Sequence, residues 1–85
     1  MDESVLERLK MFLNKLGVGS KGLERDPDVF KESLLDSMQA VDYLVMIEEA
    51  YGIEIKMRTV NEEGLGKPSK MAQYIQARMF QKDAG

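Results

Sequence analysis

Residues 36–52 constrain the fold of this chain most, because they carry a helix start, a helical apolar period and a helix stop in that order. Asp36 and Gln39 have the spacing of a capping box, and Gly52 is a typical terminator. Apolar residues between them recur every three or four positions, as on one face of an α-helix. The face expected to meet the core comprises Ala40, Tyr43, Leu44, Ile47, Ala50 and Tyr51. We therefore predict a helix over about residues 37–51.

A second stripe on this predicted helix points away from the core face. It consists of Met38, Asp42, Val45 and Glu49, which share one side at helical spacing. Two acids and two apolar residues together are unusual on a face that meets only water. Because single exposed apolar side chains are common, a plain solvated face stays open as the alternative.

Three further helices are predicted along the chain. Ser4 and Glu7 indicate a helix start, so the first helix is expected over about residues 3–16, ended by Gly17. Its apolar face comprises Val5, Leu6, Leu9, Phe12, Leu13 and Leu16. A short, weak helix is expected within residues 57–65, and a last one over about 68–81. The inner face of the last helix would comprise Met71, Tyr74, Ile75 and Met79.

Residues 17–33 predict a long first loop, because glycines and a proline interrupt any helical period there. Leu23, Val29 and Phe30 are expected to hold this loop on the core. Three longer helices, a short third one and this loop predict an all-α, small four-helix bundle. With 85 residues, we expect a single domain over 1–85.

Composition limits the classes of function. The chain has no apolar run of about 18 residues and its acidic start is unlike a secretory signal, so we expect a cytoplasmic protein without membrane insertion, and a monomer. It contains no cysteine and no histidine, which removes disulfides and the usual zinc or copper ligands. Only a weak carboxylate site for Mg²⁺ or Ca²⁺ is conceivable, and no calcium-loop motif occurs. We predict no metal site.

The charge of the chain is segregated. Its net charge is −3, yet residues 32–55 contain six acids and no lysine or arginine, which leaves +3 for the rest. The six acids are Glu32, Asp36, Asp42, Glu48, Glu49 and Glu54. Such a surface repels phosphate backbones and favours a basic partner. We therefore expect a protein partner and no nucleic acid.

Ser37 lies at the predicted start of the second helix. A nucleophilic serine needs a base, usually histidine, and the chain has none. Asp36 is adjacent in sequence and is expected to serve as the helix cap. Acyl-transfer catalysis by this chain alone is therefore disfavoured. Taken as a bare pair, Asp36 and Ser37 need be no more than residues that favour a helix start.

In its wider context this pair resembles the attachment motif of the acyl carrier proteins, which include peptidyl and D-alanyl carriers. The matching features are Asp36-Ser37-Met38, the helix VDYLVMIEEAYGIEI, and a final helix after Lys67-Pro68-Ser69. The resemblance extends from the first helix to about Phe80. It implies the acyl-carrier type of bundle, with a 4′-phosphopantetheine arm on Ser37 and Asp36 as motif partner and cap. A separate phosphopantetheinyl transferase would attach the arm from coenzyme A with Mg²⁺.

The resemblance also implies what the arm and the second helix do. The protein would carry acyl or aminoacyl groups as thioesters in fatty-acid, polyketide, lipid or related biosynthesis, without being an enzyme. Activating and acyl-transferring enzymes with basic surfaces would dock on this helix. The residues at the matching positions are Met38, Asp42, Val45, Glu48 and Glu49.

Two alternatives stay open at this point. The form LLDSM is closer to D-alanyl and other stand-alone carriers than to many fatty-acid carriers, and Lys56 and Arg58 make the third helix less acidic than theirs. An aminoacyl or peptidyl cargo is therefore one alternative. An unmodified helical interaction module, in which Ser37 only starts a helix, is the other. Modification of Ser37 distinguishes the module from a carrier.

Overall fold

The structure, a computed structural model, describes residues 4–84, and the side-chain surroundings of residues 4–79. Within that range the chain forms four α-helices and no strand. They are α1 (Val5–Lys15), α2 (Ser37–Tyr51), α3 (Met57–Glu63) and α4 (Pro68–Ala84), with a 3₁₀ helix at Lys21–Leu23 in the first loop. The predicted all-α bundle with a short third helix and a long first loop is confirmed. No helix in the described range is long and apolar enough to cross a membrane.

One hydrophobic core joins the helices and the first loop. α1 packs most extensively against α4 and also contacts α2. Residues that are completely shielded from solvent include Leu9, Leu13, Val29, Tyr43, Ile47, Met71 and Ile75. They come from the predicted apolar faces of α1, α2 and α4 and from the loop. Burying each of these side chains stabilises the fold by about 1.5–3 kcal/mol before conformational entropy is subtracted.

Capping residues set the ends of the first two helices. The Ser4 hydroxyl accepts a hydrogen bond from the Glu7 N–H at 3.1 Å, which starts α1 at Val5. The predicted start at residue 3 lies outside the described residues. At the end of α2, Gly52 has φ +65° and adopts the left-handed conformation that glycine favours. The predicted bounds of α2, residues 37–51, are confirmed.

The first loop is fastened to the start of α4. Asp26 has φ +56°, and its carboxylate accepts hydrogen bonds from the Ser69 N–H, at 2.9 Å, and from the Ser69 hydroxyl. Nearby, the Val29 N–H donates to the Gly66 carbonyl at 3.0 Å. A side chain at Gly66 would overlap the Asp28 carboxylate, so only glycine fits this contact. The loop that leads to Ser37 is thereby held by the turn between α3 and α4.

Several predictions about the elements need correction. Ala50 is exposed and does not belong to the core face of α2. The last helix continues to Ala84 instead of ending near residue 81, because no glycine or proline interrupts it before Gly85. The 3₁₀ helix at Lys21–Leu23 was not predicted, since three residues are too few to show a period. The predicted contacts of Leu23, Val29 and Phe30 with the core are confirmed.

Candidate functional site

The start of α2 is closed by a reciprocal capping box. Asp36 is extended, with φ −77° and ψ 178°. Its carboxylate accepts a hydrogen bond from the Gln39 N–H at 2.8 Å, and the Gln39 side-chain oxygen accepts one from the Asp36 N–H at 3.1 Å. The predicted cap is confirmed. Each side chain satisfies a backbone donor that would otherwise lack a partner at a helix start.

Ser37 is the first residue of α2 and is exposed. No hydrogen bond of its hydroxyl is found within residues 4–79. The box occupies the N–H groups of Asp36 and Gln39, so those of Ser37 and Met38 remain directed out of the helix start. A phosphate on the Ser37 oxygen suits this place, because first-turn N–H groups and the helix dipole favour an anion. The residues present therefore fit a phosphodiester.

The chain just before Ser37 is anchored while Ser37 itself stays accessible. The Val29 carbonyl accepts hydrogen bonds from the N–H groups of Leu34, at 3.0 Å, and Leu35, at 3.3 Å. Leu35 is buried in the core, whereas Leu34 is 38% exposed. This turn brings Asp36 and Ser37 to the surface immediately after a buried residue.

Apolar and acidic residues occupy two neighbouring strips along the outward face of α2. Met38 is 78% exposed and Val45 40%, and Asp42 and Glu49 are exposed as well, so the predicted stripe lies on the surface. Val41, at 55%, also belongs to this face and was missed from the sequence. At about 100° per residue around the helix, Val41, Val45 and Met38 follow one another, and Glu49 and Asp42 come next. An apolar strip therefore lies beside an acidic one.

Glu48 differs from the other residues that the resemblance placed in partner binding. It is only half exposed, and its carboxylate accepts a hydrogen bond from the Ile55 N–H at 2.8 Å. This bond joins α2 to the segment that leads to α3. Glu48 therefore has a structural contact of its own at the edge of the outward face.

Tyr43 lies on the core side of α2. Its side chain is fully buried, and its ring centroid is 6.1 Å from that of Phe30. Its hydroxyl has no hydrogen-bond partner among the described residues. Burial raises the pKa of the Tyr43 phenol well above its usual value, and the nearby Asp26 carboxylate raises it further. The neutral phenol is thus strongly favoured in the folded protein.

In the described part of the chain, no cluster of three or more acidic side chains could hold a metal ion. The site therefore consists of the Ser37 hydroxyl, the free N–H groups around it and the outward face of α2. These features can accept a covalent group and present it to another protein. Among residues 4–79, no ionisable side chain forms a hydrogen bond with the Ser37 hydroxyl.

Comparison with known proteins identifies the family. The family described as "Phosphopantetheine attachment site" matches residues 9–75. The D-alanyl carrier protein of Enterococcus faecalis (strain ATCC 700802 / V583) is 36% identical over 53 residues, which cover 62% of this chain and 68% of that protein. No solved structure gives a significant match. The family match covers more than half of the chain, which therefore belongs to the phosphopantetheine-dependent carrier proteins.

Proposed function

We propose that Ser37 is the attachment residue for 4′-phosphopantetheine and that the protein delivers an aminoacyl group between partner enzymes. The observation that carries this proposal is the exposed Ser37 hydroxyl at the first position of α2. Family membership says that a carrier arm is attached, and Ser37 is the residue whose surroundings suit its phosphate. The protein is acted on by other enzymes and catalyses no step itself.

The attachment reaction needs little from this chain beyond an accessible hydroxyl. The Ser37 oxygen would form a bond to the phosphorus next to the pantetheine part of coenzyme A. The bond from that phosphorus to adenosine 3′,5′-bisphosphate would break, and the serine proton would pass to a base on the transferase. Because the transferase supplies the base, Ser37 needs no neighbouring histidine in this chain for the attachment to proceed. When bound, the arm supplies the thiol on which a cargo is held as a thioester.

An aminoacyl cargo is favoured over a fatty acyl chain by two observations. The Enterococcus relative, which matches over more than half of this chain, is named a D-alanyl carrier protein. The residues LLDSM around Ser37 also resemble those of D-alanyl and other stand-alone carriers. We therefore propose D-alanine or a similarly small amino acid as the cargo, loaded by an ATP-dependent ligase.

The outward face of α2 is proposed as the docking face for the transferase, the ligase and the acceptor enzyme. We define this docking face as Met38, Val41, Asp42, Val45 and Glu49. Its apolar strip can be buried against a partner, while its acids select a basic surface and raise the association rate. Glu48 contributes less, because its carboxylate is already engaged by the Ile55 N–H.

Intact-mass measurement tests the attachment. The purified protein is incubated with coenzyme A, Mg²⁺ and a broad-specificity phosphopantetheinyl transferase, beside a known carrier protein. We expect the wild type and the control Ser20→Ala, which also alters an exposed serine, to gain one phosphopantetheine, and Ser37→Ala to gain none. A gain in folded Ser37→Ala would show that the attachment residue is another one. No gain in the wild type, while the known carrier is modified, would leave the unmodified interaction module.

The cargo is tested on the modified protein. With ATP, D-alanine and a ligase active on D-alanyl carriers, we expect the mass to rise by one alanyl group, and the gain to disappear with hydroxylamine, which cleaves thioesters. Loading by a fatty-acyl synthetase with a long-chain acid serves as the comparison. Efficient fatty-acyl loading without alanyl loading would contradict the proposed cargo while leaving attachment at Ser37 intact.

A further inference from the structure

We infer that Gln39 is a positioning residue for the modification of Ser37, because its side chain fixes the start of α2 to the end of α1. This inference rests on the proposed attachment at Ser37. Gln39 is half-buried and lies two residues after Ser37. Gln39 would act on Ser37 indirectly, by holding the backbone before and after the serine.

Both polar atoms of the Gln39 side chain are used. The oxygen accepts from the Asp36 N–H at 3.1 Å, and the NH₂ group donates to the Leu16 carbonyl at 2.8 Å. The Leu16 carbonyl lies at the end of α1, where backbone carbonyls lack partners within the helix. One amide therefore satisfies a free donor of α2 and a free acceptor of α1. A carboxylate has no donor for Leu16, and an apolar side chain can make neither bond.

These two bonds determine where Ser37 lies. The capping box alone fixes the local shape of the helix start, but it does not fix that start relative to the rest of the bundle. The bond to Leu16 joins residues 23 positions apart. Leu16 packs against the core, and its own N–H is bonded to α1. The start of α2, and Ser37 with it, is therefore held by a contact with the end of α1 as well as by contacts within its own helix.

The position of Ser37 should matter for the rate of transfer because a misplaced nucleophile loses the alignment that the reaction needs. If the helix start opens part of the time, only the closed fraction reacts. Opening of the helix start would move only Met38 of the docking face, since Val41, Asp42, Val45 and Glu49 lie on α2 beyond its first turn. Loss of the Gln39 bonds should therefore lower kcat and leave KM nearly unchanged.

Two variants separate the bonds. Gln39→Met has a similar shape and removes both, whereas Gln39→Glu keeps an acceptor for Asp36 and removes the donor to Leu16. The matched control is Gln76→Met, the same exchange at an exposed position on α4. We expect kcat for phosphopantetheine transfer to fall about tenfold in Gln39→Met, because Ser37 loses the alignment that the two bonds maintain. It should fall less in Gln39→Glu and stay unchanged in Gln76→Met.

Amide hydrogen exchange supplies a readout that does not depend on the transferase. We expect exchange at the amides of residues 36, 39 and 40, which are hydrogen-bonded in the wild type, to accelerate severalfold in Gln39→Met, while exchange in the middle of α4 stays as in the wild type. A kcat within twofold of the wild type would overturn the positioning role, whether or not exchange changes. Unchanged exchange would show that the Gln39 bonds do not hold the start of α2 in place. Failure of the attachment proposal looks different, since the wild type itself would then remain unmodified.

Discussion

At the scale of single residues, the buried Tyr43 hydroxyl is the clearest feature of the core that should lower its stability. A buried hydroxyl without a partner typically costs about 1–3 kcal/mol, and none is found for Tyr43 among the described residues. We therefore expect Tyr43→Phe to keep the fold and to raise the free energy of unfolding by about 1 kcal/mol. Urea denaturation of the two proteins measures this difference. A loss of stability in Tyr43→Phe would show that the hydroxyl has a stabilising contact.

The wild type and Tyr43→Phe should also differ in how their stability depends on pH. The unfolded phenol ionises near its ordinary pKa of about 10, whereas burial, and then the Asp26 carboxylate, raise the pKa of folded Tyr43. Above pH 10 the unfolded state loses this proton first, so the wild type should lose stability as the pH rises further. Tyr43→Phe lacks this contribution. We expect its advantage over the wild type to be constant below pH 10 and to grow above it.

Residue identity alone could place Ser37 at the start of a helix, but it could not reveal the contacts that hold that start. Asp36, Ser37 and Met38 are adjacent in sequence, so their motif and the capping box could be recognised directly. The bond from Gln39 to Leu16 spans 23 positions and depends on how α1 and α2 pack. Val41 was assigned to neither face of the predicted helix, because it does not fall on the three- and four-residue spacing of the core face or of the second stripe. Its 55% exposure follows from its angular position on α2.

At the scale of elements, prediction succeeded where both ends of a helix are marked. α2 has a capping box before it and a left-handed glycine after it, and its predicted bounds agree with the structure. α4 has no such stop before its last residue, so its end was predicted three residues too early. The link from the first loop to α4 could not be predicted. It joins Asp26 and Ser69, which are 43 positions apart.

This link makes a prediction about the start of α4. Asp26→Asn keeps a residue that tolerates a positive φ but removes a negative charge and one acceptor from the helix start. We expect it to lower the free energy of unfolding by about 1 kcal/mol, as loss of a helix cap does. The same exchange at exposed Asp42 on α2 is the control and should have little effect. Urea denaturation measures both, and equal stabilities for the two variants would contradict the capping role.

At the scale of the whole molecule, the acidic surface around α2 predicts how partners approach. Asp42→Lys and Glu49→Lys each reverse a charge on the docking face, so we expect kcat/KM of phosphopantetheine transfer to fall severalfold at low salt. The difference from the wild type should shrink as salt is added, because ions screen exposed charges. Glu7→Lys, an exposed position on α1, makes the same change in net charge and should have little effect. Unchanged rates in both α2 variants would remove this face from docking.

The absorbance of the buried Tyr43 phenol can also report the opening of the core without an added label. The chain contains three tyrosines and no tryptophan, so no indole absorbance hides the spectral change that accompanies formation of tyrosinate. Tyr43 cannot ionise readily while it stays inside the bundle, and its late contribution to an alkaline titration would therefore mark the opening of the core. A spectrophotometer could follow that event in an unlabelled sample of the purified protein.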